Sequence, residues 1–194
     1  GRALDRAAPF LRRQIGSRLR LKRAPELRFI YDDSIAGQDR IEHLRGVREG
    51  TPNFTTEKTP FEVGKAQVLR QGTDVTVIGH GYMVYWLLQI AEELKSKISI
   101  EVINLHTIKP LDGKTILASA KKTGRVFCAE DHNIIGGMGS AVAEFLSQNH
   151  PVPMKLHGVY DQFTESGTPK DLWAKYKLDK AGTKQVLLSF LKKK

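Results

Sequence analysis

At 194 residues, the chain has room for one domain of about 140 residues and an attachment, which excludes two full enzyme domains. Its 40% apolar and 27% charged residues are those of an ordinary globular protein, and apolar runs such as Tyr82 to Ile90 fall far short of the roughly 20 residues that cross a bilayer. The formal net charge of +10 divides evenly: residues 1–50 carry twelve basic and seven acidic groups, and residues 51–194 carry nineteen and fourteen, so the first part is much the more basic per residue. No charged-then-apolar leader opens the chain and one cysteine excludes an internal disulfide, so the cytoplasm is the expected compartment.

The kind of positive charge also changes along the chain. Residues 1–50 hold eleven arginines and one lysine, Lys22, whereas residues 51–194 hold two arginines, Arg70 and Arg125, and seventeen lysines. Either cation suits an exposed helix face, so folding gives little reason for a switch at one point. The switch reads as two sources joined near Gly50, and the two parts are taken separately.

From Arg2 to Leu19, Leu4, Ala7 or Ala8, Leu11, Ile15 and Leu19 recur at helical spacing among Arg6, Arg12, Arg13 and Arg18, which predicts an amphipathic helix kinked near Ala8 by Pro9. Glu26 to Tyr31 reads as a strand, and a short helix is expected near Asp39 to Val47. Arg12, Arg13, Arg18, Arg20, Lys22 and Arg23 are the candidates for nucleic-acid phosphate contacts, with an affinity that salt should weaken steeply.

Residues 51–60 form a Thr-, Pro- and Asn-rich linker. Beyond it strands alternate with helices. Ala66 to Leu69 is expected as an antiparallel edge strand, followed by a strand at Asp74–Gly79, a helix at Tyr82–Leu94, a strand at Ile98–Leu105 and a helix at Gly113–Lys122. Arg125–Glu130 is the next strand, Met138–Gln148 a helix, Met154–Gly158 a strand, and Pro169–Lys175 and Thr183–Leu191 are closing helices. Such alternation requires crossovers and hence a mainly parallel sheet covered on both faces. Cys128, inside Arg-Val-Phe-Cys-Ala-Glu, reads as a small core residue.

Ligands of open parallel sheets bind beyond the carboxyl ends of the strands. Gly79-His80-Gly81 and Asp131-His132-Asn133 fall at two such ends, so His80 and His132 face one crevice or serve as turn residues; His106 stands in a similar place. Asn133, Gly136, Gly137, Gly139 and Ser140 complete the candidate crevice, because glycines before a helix let backbone amides approach an anion. The same glycines also suit a tight turn and close helix packing, and no Gly-x-Gly-x-x-Gly spacing or Walker lysine is present. Thr168 and Pro169 read as the N-cap and first residue of a helix. No metal ligands or catalytic residues are assigned.

Two resemblances follow from these motifs. Ala3-Leu4-Asp5-Arg6-Ala7-Ala8-Pro9-Phe10-Leu11-Arg12-Arg13, Arg18-Leu19-Arg20-Leu21-Lys22 and Pro25-Glu26-Leu27-Arg28-Phe29-Ile30-Tyr31-Asp32-Asp33-Ser34 closely resemble the C-terminal part of ribosome-binding factor A, a KH-like family that binds the maturing small ribosomal subunit. Pro9 stands where that family's kink glycine would fall, and the first helix and first two strands of the fold are expected to be missing. Phe61-Glu62-Val63-Gly64-Lys65-Ala66, His106-Thr107-Ile108-Lys109-Pro110-Leu111-Asp112, Ala129-Glu130-Asp131-His132-Asn133-Ile134-Ile135-Gly136-Gly137-Met138-Gly139 and Glu165-Ser166-Gly167-Thr168-Pro169 resemble the transketolase C-terminal domain over about Phe61 to Lys192. Pyruvate dehydrogenase beta subunits and deoxyxylulose-phosphate synthase carry related domains.

The second resemblance implies a three-layer α/β sandwich on a five-stranded mixed sheet, with the N-terminal helix-strand-helix fragment attached. It also implies that thiamine diphosphate and its divalent metal are held by two other domains. No Gly-Asp-Gly followed by a metal-binding Asn occurs in this sequence, so the chain is expected to bind no cofactor and to lack transketolase activity by itself. Three functions remain. The first is a catalytically silent chimera, engineered or natural, in which the Leu4/Leu11/Ile15 face and the Glu26–Tyr31 strand dock on the α/β unit. The second is the C-terminal subunit of a split transketolase awaiting a cofactor-binding partner, with the N-terminal part as an appendage; the resemblance separately implies packing as a homodimer. The third is a weak binder of small-subunit ribosomal RNA.

Overall fold

The computed structural model describes residues 59, 61–162 and 164–192, all within the second of the two units into which the chain divides, Gly46–Lys194. The expected N-terminal helices, the Glu26–Tyr31 strand and its docking on the sheet lie outside the described residues, as do Arg12, Arg13, Arg18, Arg20, Lys22 and Arg23.

Among the described residues the elements run β1 (Gln67–Arg70), β2 (Val75–Gly79), α1 (Tyr82–Glu93), β3 (Ile100–Asn104), α2 (Gly113–Thr123), β4 (Val126–Asn133), α3 (Met138–Asn149), β5 (Met154–Val159), α4 (Pro169–Lys175) and α5 (Lys180–Lys192). The strands form one sheet in the order β1-β3-β2-β4-β5. β2 pairs in parallel with β3 and β4, β4 pairs in parallel with β5, and the edge strand β1 runs antiparallel to β3. This is the mixed α/β architecture that the strand and helix alternation calls for.

β2 and β3 are buried along their whole length, as central parallel strands covered on both faces must be. Their side chains divide by alternation. Val75, Val77, Ile100, Val102, Phe127 and Ala129 join Met83, Leu87 and Ile90 of α1 and Leu187 of α5 in one apolar layer. Ile78, Ile103, Val126 and Cys128 join Ile116 and Ala120 of α2 and Met138, Val142 and Leu146 of α3 in the other. Two layers of about ten such side chains supply the dominant favourable term in folding, each fully buried aliphatic contributing about 1.5–3 kcal/mol. A polar seam runs beside the second layer: buried Thr76 shares its hydroxyl with Ser119 at 2.5 Å and Thr123 at 2.7 Å, and buried Glu101 is bonded by the Ser119 hydroxyl and the Lys122 ammonium.

The helix ends follow their local chemistry. Asp112 caps α2 by accepting the Thr115 amide at 3.1 Å, and its other oxygen accepts the Ala66 amide at 2.9 Å, which ties the approach to β1 to that helix. Gly124 closes α2 at φ 68°, a conformation that costs glycine little. Thr168 accepts the Asp171 amide at 3.3 Å and Pro169 opens α4. Trp173 of α4 meets Tyr82 of α1 with ring centroids 4.5 Å apart.

The strand order reverses between β2 and β4. The chain leaves β2 toward β3 on one side through α1, and leaves β4 toward β5 on the other through α3; the two helices cover opposite faces. The carboxyl ends of β2 and β4 therefore open a crevice at the switch point of the sheet, the place where α/β proteins bind ligands.

Candidate functional site

The crevice is built from the two strand ends. His80 follows β2 directly and His132 lies near the end of β4, and their rings stack with centroids 5.5 Å apart and planes inclined by 28°. β4 extends three residues beyond the expected Arg125–Glu130 strand because its pairing with β5 is irregular. Ala129 faces His157 and Asn133 faces Val159, so four steps of β4 match two of β5. Such a bulge re-aims the side chains it contains. Here it holds Glu130, Asp131 and His132.

Glu130 is fully buried. Its two carboxylate oxygens accept the backbone amides of Met138 at 2.8 Å and Gly139 at 3.3 Å, buried donors of the first turn of α3 that have no partner within the helix. The carboxylate thus occupies the helix end where an external anion would otherwise sit, and complements the helix dipole. Burial raises the Glu130 pKa, against the opposing influence of His132 and the two amides. Burial holds His80 below its ordinary value, so its ring favours the neutral form.

The other candidates are placed by the loop between β4 and α3. Asn133 accepts the Ile135 amide at 2.8 Å through its side chain, Ser140 accepts the Gly136 amide at 3.1 Å, and the Ser140 hydroxyl donates to the Ile134 carbonyl at 2.9 Å. Gly136 turns the chain at φ 74°. At Gly137 a Cβ would lie 2.3 Å from Glu130 Oε2 and 2.6 Å from His132 Cε1, and at Gly139 one would lie 3.0 Å from Glu130 Oε1. These two glycines leave space for the chain's own carboxylate. His106 stands apart from the pair, against Phe61 with ring centroids 4.4 Å apart.

Sequence reasoning missed Glu130 as a site residue. Its signal was an acidic residue at a strand end, eight and nine positions before the amides it binds. His157 was missed too: fully buried in β5, it donates from Nε2 to the Lys177 carbonyl at 2.9 Å.

The Glu130 carboxylate is engaged by the chain itself, with Gly137 packed closely against it. A further buried carboxylate, Glu101, is enclosed by Ser119, Lys122 and the Gly72 amide.

Comparison with known proteins agrees with this architecture. Residues 64–182 match the family model "Transketolase, C-terminal domain", and residues 1–45 match "Ribosome-binding factor A". The 6-deoxy-6-sulfo-D-fructose transketolase subunit SqwH of a Clostridium species is 43% identical over 145 residues, covering 74% of this chain and 45% of that protein. An apulose-4-phosphate transketolase subunit of Phocaeicola vulgatus is 37% identical over 153 residues, covering 78% of this chain and 49% of that protein. A solved split-gene transketolase, an inactive beta4 tetramer, superposes with a TM-score of 0.69 at 38% identity, covering 73% of this chain and 47% of that one. The chain spans about half the length of these relatives. With its family model matching more than half of its residues, the chain belongs to the transketolase C-terminal domain family.

Proposed function

We propose that this chain supplies the C-terminal domain of a split transketolase and works only in an assembly whose other parts hold thiamine diphosphate and its divalent metal. The observation that carries this reading is its likeness to separately encoded transketolase subunits, at 43% and 37% identity. The related split-gene beta tetramer, inactive as an isolated assembly, supports it. These relatives favour the subunit reading over that of a silent chimera. Cleavage of the ketose carbon–carbon bond needs an electron sink that no side chain supplies, and the cofactor provides it. In this reading the chain contributes a rigid α/β unit and subunit contacts, and binds no cofactor of its own.

The test is reconstitution. The chain is mixed with a polypeptide carrying the diphosphate- and pyrimidine-binding domains of a split transketolase, and ketol transfer from a phosphorylated ketose is measured with thiamine diphosphate and magnesium present. Activity in the mixture, absent from either component, is the expected result. A mixture no more active than its components removes the proposal.

A further inference from the structure

We propose that His80, Glu130 and His132 form a binding site for a divalent transition-metal ion, with zinc as its fitting occupant. Each of the three offers one ligand atom, and these atoms all lie within 4.8 Å of one another.

The geometry of His132 carries the argument. Its Nδ1 lies 2.9 Å from the Asn133 carbonyl oxygen. A carbonyl only accepts, so Nδ1 bears the hydrogen and Nε2 is left facing Glu130 Oε2 at 3.3 Å. A lone pair on Nε2 and a carboxylate oxygen repel unless a cation stands between them. A histidine that donates one ring N–H to a backbone carbonyl while directing the other nitrogen at a metal is the usual arrangement of imidazole ligands.

The spacing fits a tetrahedral ion. Zinc bonds of about 2.0–2.1 Å to imidazole nitrogen and carboxylate oxygen, set at a tetrahedral angle, hold the two donor atoms about 3.3–3.4 Å apart. Nε2 of His132 and Oε2 of Glu130 are already at that separation. His80 follows β2 directly and offers its donor within 4.8 Å of the other two, so a modest side-chain adjustment completes the set. Its Nε2 is buried and has no hydrogen-bond partner.

Donor type agrees. Two imidazoles and one carboxylate give the His₂Glu set typical of zinc sites that keep a further position for water. Glu130 can serve the helix and an ion together, because its two oxygens carry about four lone-pair sites and the α3 amides use two. An ion here would join the end of β2, the bulge of β4 and the start of α3.

The test uses the full chain stripped of metal with EDTA and dialysed. Zinc is titrated by calorimetry, and cobalt is titrated by visible absorption, whose intensity distinguishes a tetrahedral from a six-coordinate site. One equivalent of zinc at micromolar or tighter affinity, an intense cobalt spectrum, and at least tenfold weaker binding in both H80Q and H132Q are expected. Far-UV circular dichroism checks that both variants fold. Imidazole ¹⁵N shifts of the unsubstituted protein, followed during zinc addition, provide a readout independent of the variants, with two rings expected to move together. No saturable uptake by the unsubstituted chain, which leaves a proton between His132 and Glu130, overturns the proposal. Undiminished binding in both variants, which puts the ion elsewhere, overturns it too.

Discussion

Glu130, fully buried in β4, accepts the backbone amide of Met138 at 2.8 Å. A strand residue therefore caps the helix that follows it, and the loop between them is held at both ends. Removing the carboxylate leaves the Met138 and Gly139 donors buried without acceptors, each costing about 1–3 kcal/mol. Glu130→Ala is expected to destabilise the chain by about 3 kcal/mol and Glu130→Gln, which keeps one oxygen, by about half as much. Urea unfolding followed by circular dichroism measures both; equal, negligible losses would remove the capping role.

Gly137 and Gly136 should respond for different reasons. A Cβ at Gly137 would press on Glu130 and His132 at 2.3 and 2.6 Å, whereas one at Gly136 meets open space but sits at φ 74°. Gly137→Ala is expected to cost about 2–3 kcal/mol by overpacking, and Gly136→Ala about 1 kcal/mol by backbone strain. Paired denaturation curves test the order, and the reverse order would contradict the crowding argument.

The pH dependence of stability should carry the mark of buried histidines. His157 is held below its ordinary value chiefly by burial, against the raising effect of its bond to Lys177. Because the folded pKa lies below the unfolded one, the unfolded chain binds the proton more readily. The stabilising contribution is present above about pH 6.5 and is lost as pH falls through the unfolded value toward the folded one. His80 and His106, also lowered by burial, act in the same sense. Urea midpoints at pH 7.5, 6.5 and 5.5 should fall toward acid, with a shallower slope in His157→Gln; an unchanged slope would deny His157 its part.

Two ion pairs on the same molecule should differ in worth. Lys122 pairs with Glu101, whose side chain is 2% exposed, whereas Lys95 pairs with Glu92, and both of those side chains are more than half exposed. Lys122→Met strips a buried carboxylate of its counter-charge and is expected to cost about 2–3 kcal/mol, softened by the remaining bond from Ser119. Lys95→Met should change stability by at most about 0.5 kcal/mol. Equal effects, or loss of the difference in 1 M salt, would contradict the burial argument.

Most of the α/β unit was legible in the sequence, because strands covered on both faces and amphipathic helices write their periods directly. β2, α1 and α4 fall within a residue of their expected bounds. α5 begins three residues early because Asp179 caps it, accepting the Gly182 amide at 2.9 Å. The extension of β4 was not legible. Its bulge arises from mismatch with β5, a long-range pairing that local sequence does not record. Glu130 was hidden for a related reason: a buried carboxylate contradicts hydrophobic patterning, and only the amides of α3 make it tolerable. The meeting of His80 and His132 was foreseeable from strand topology, but the inward turn of Glu130 beside His132 was not.

Cys128, the sole cysteine of the sequence, is fully buried in β4 with its thiol pushed upward by burial. The folded molecule therefore shields its one nucleophilic sulfur from alkylating reagents, and labelling must wait until the central sheet comes apart. That single atom makes the protein its own stopwatch: the pace of thiol capture in native buffer reads how often the layers around β4 open.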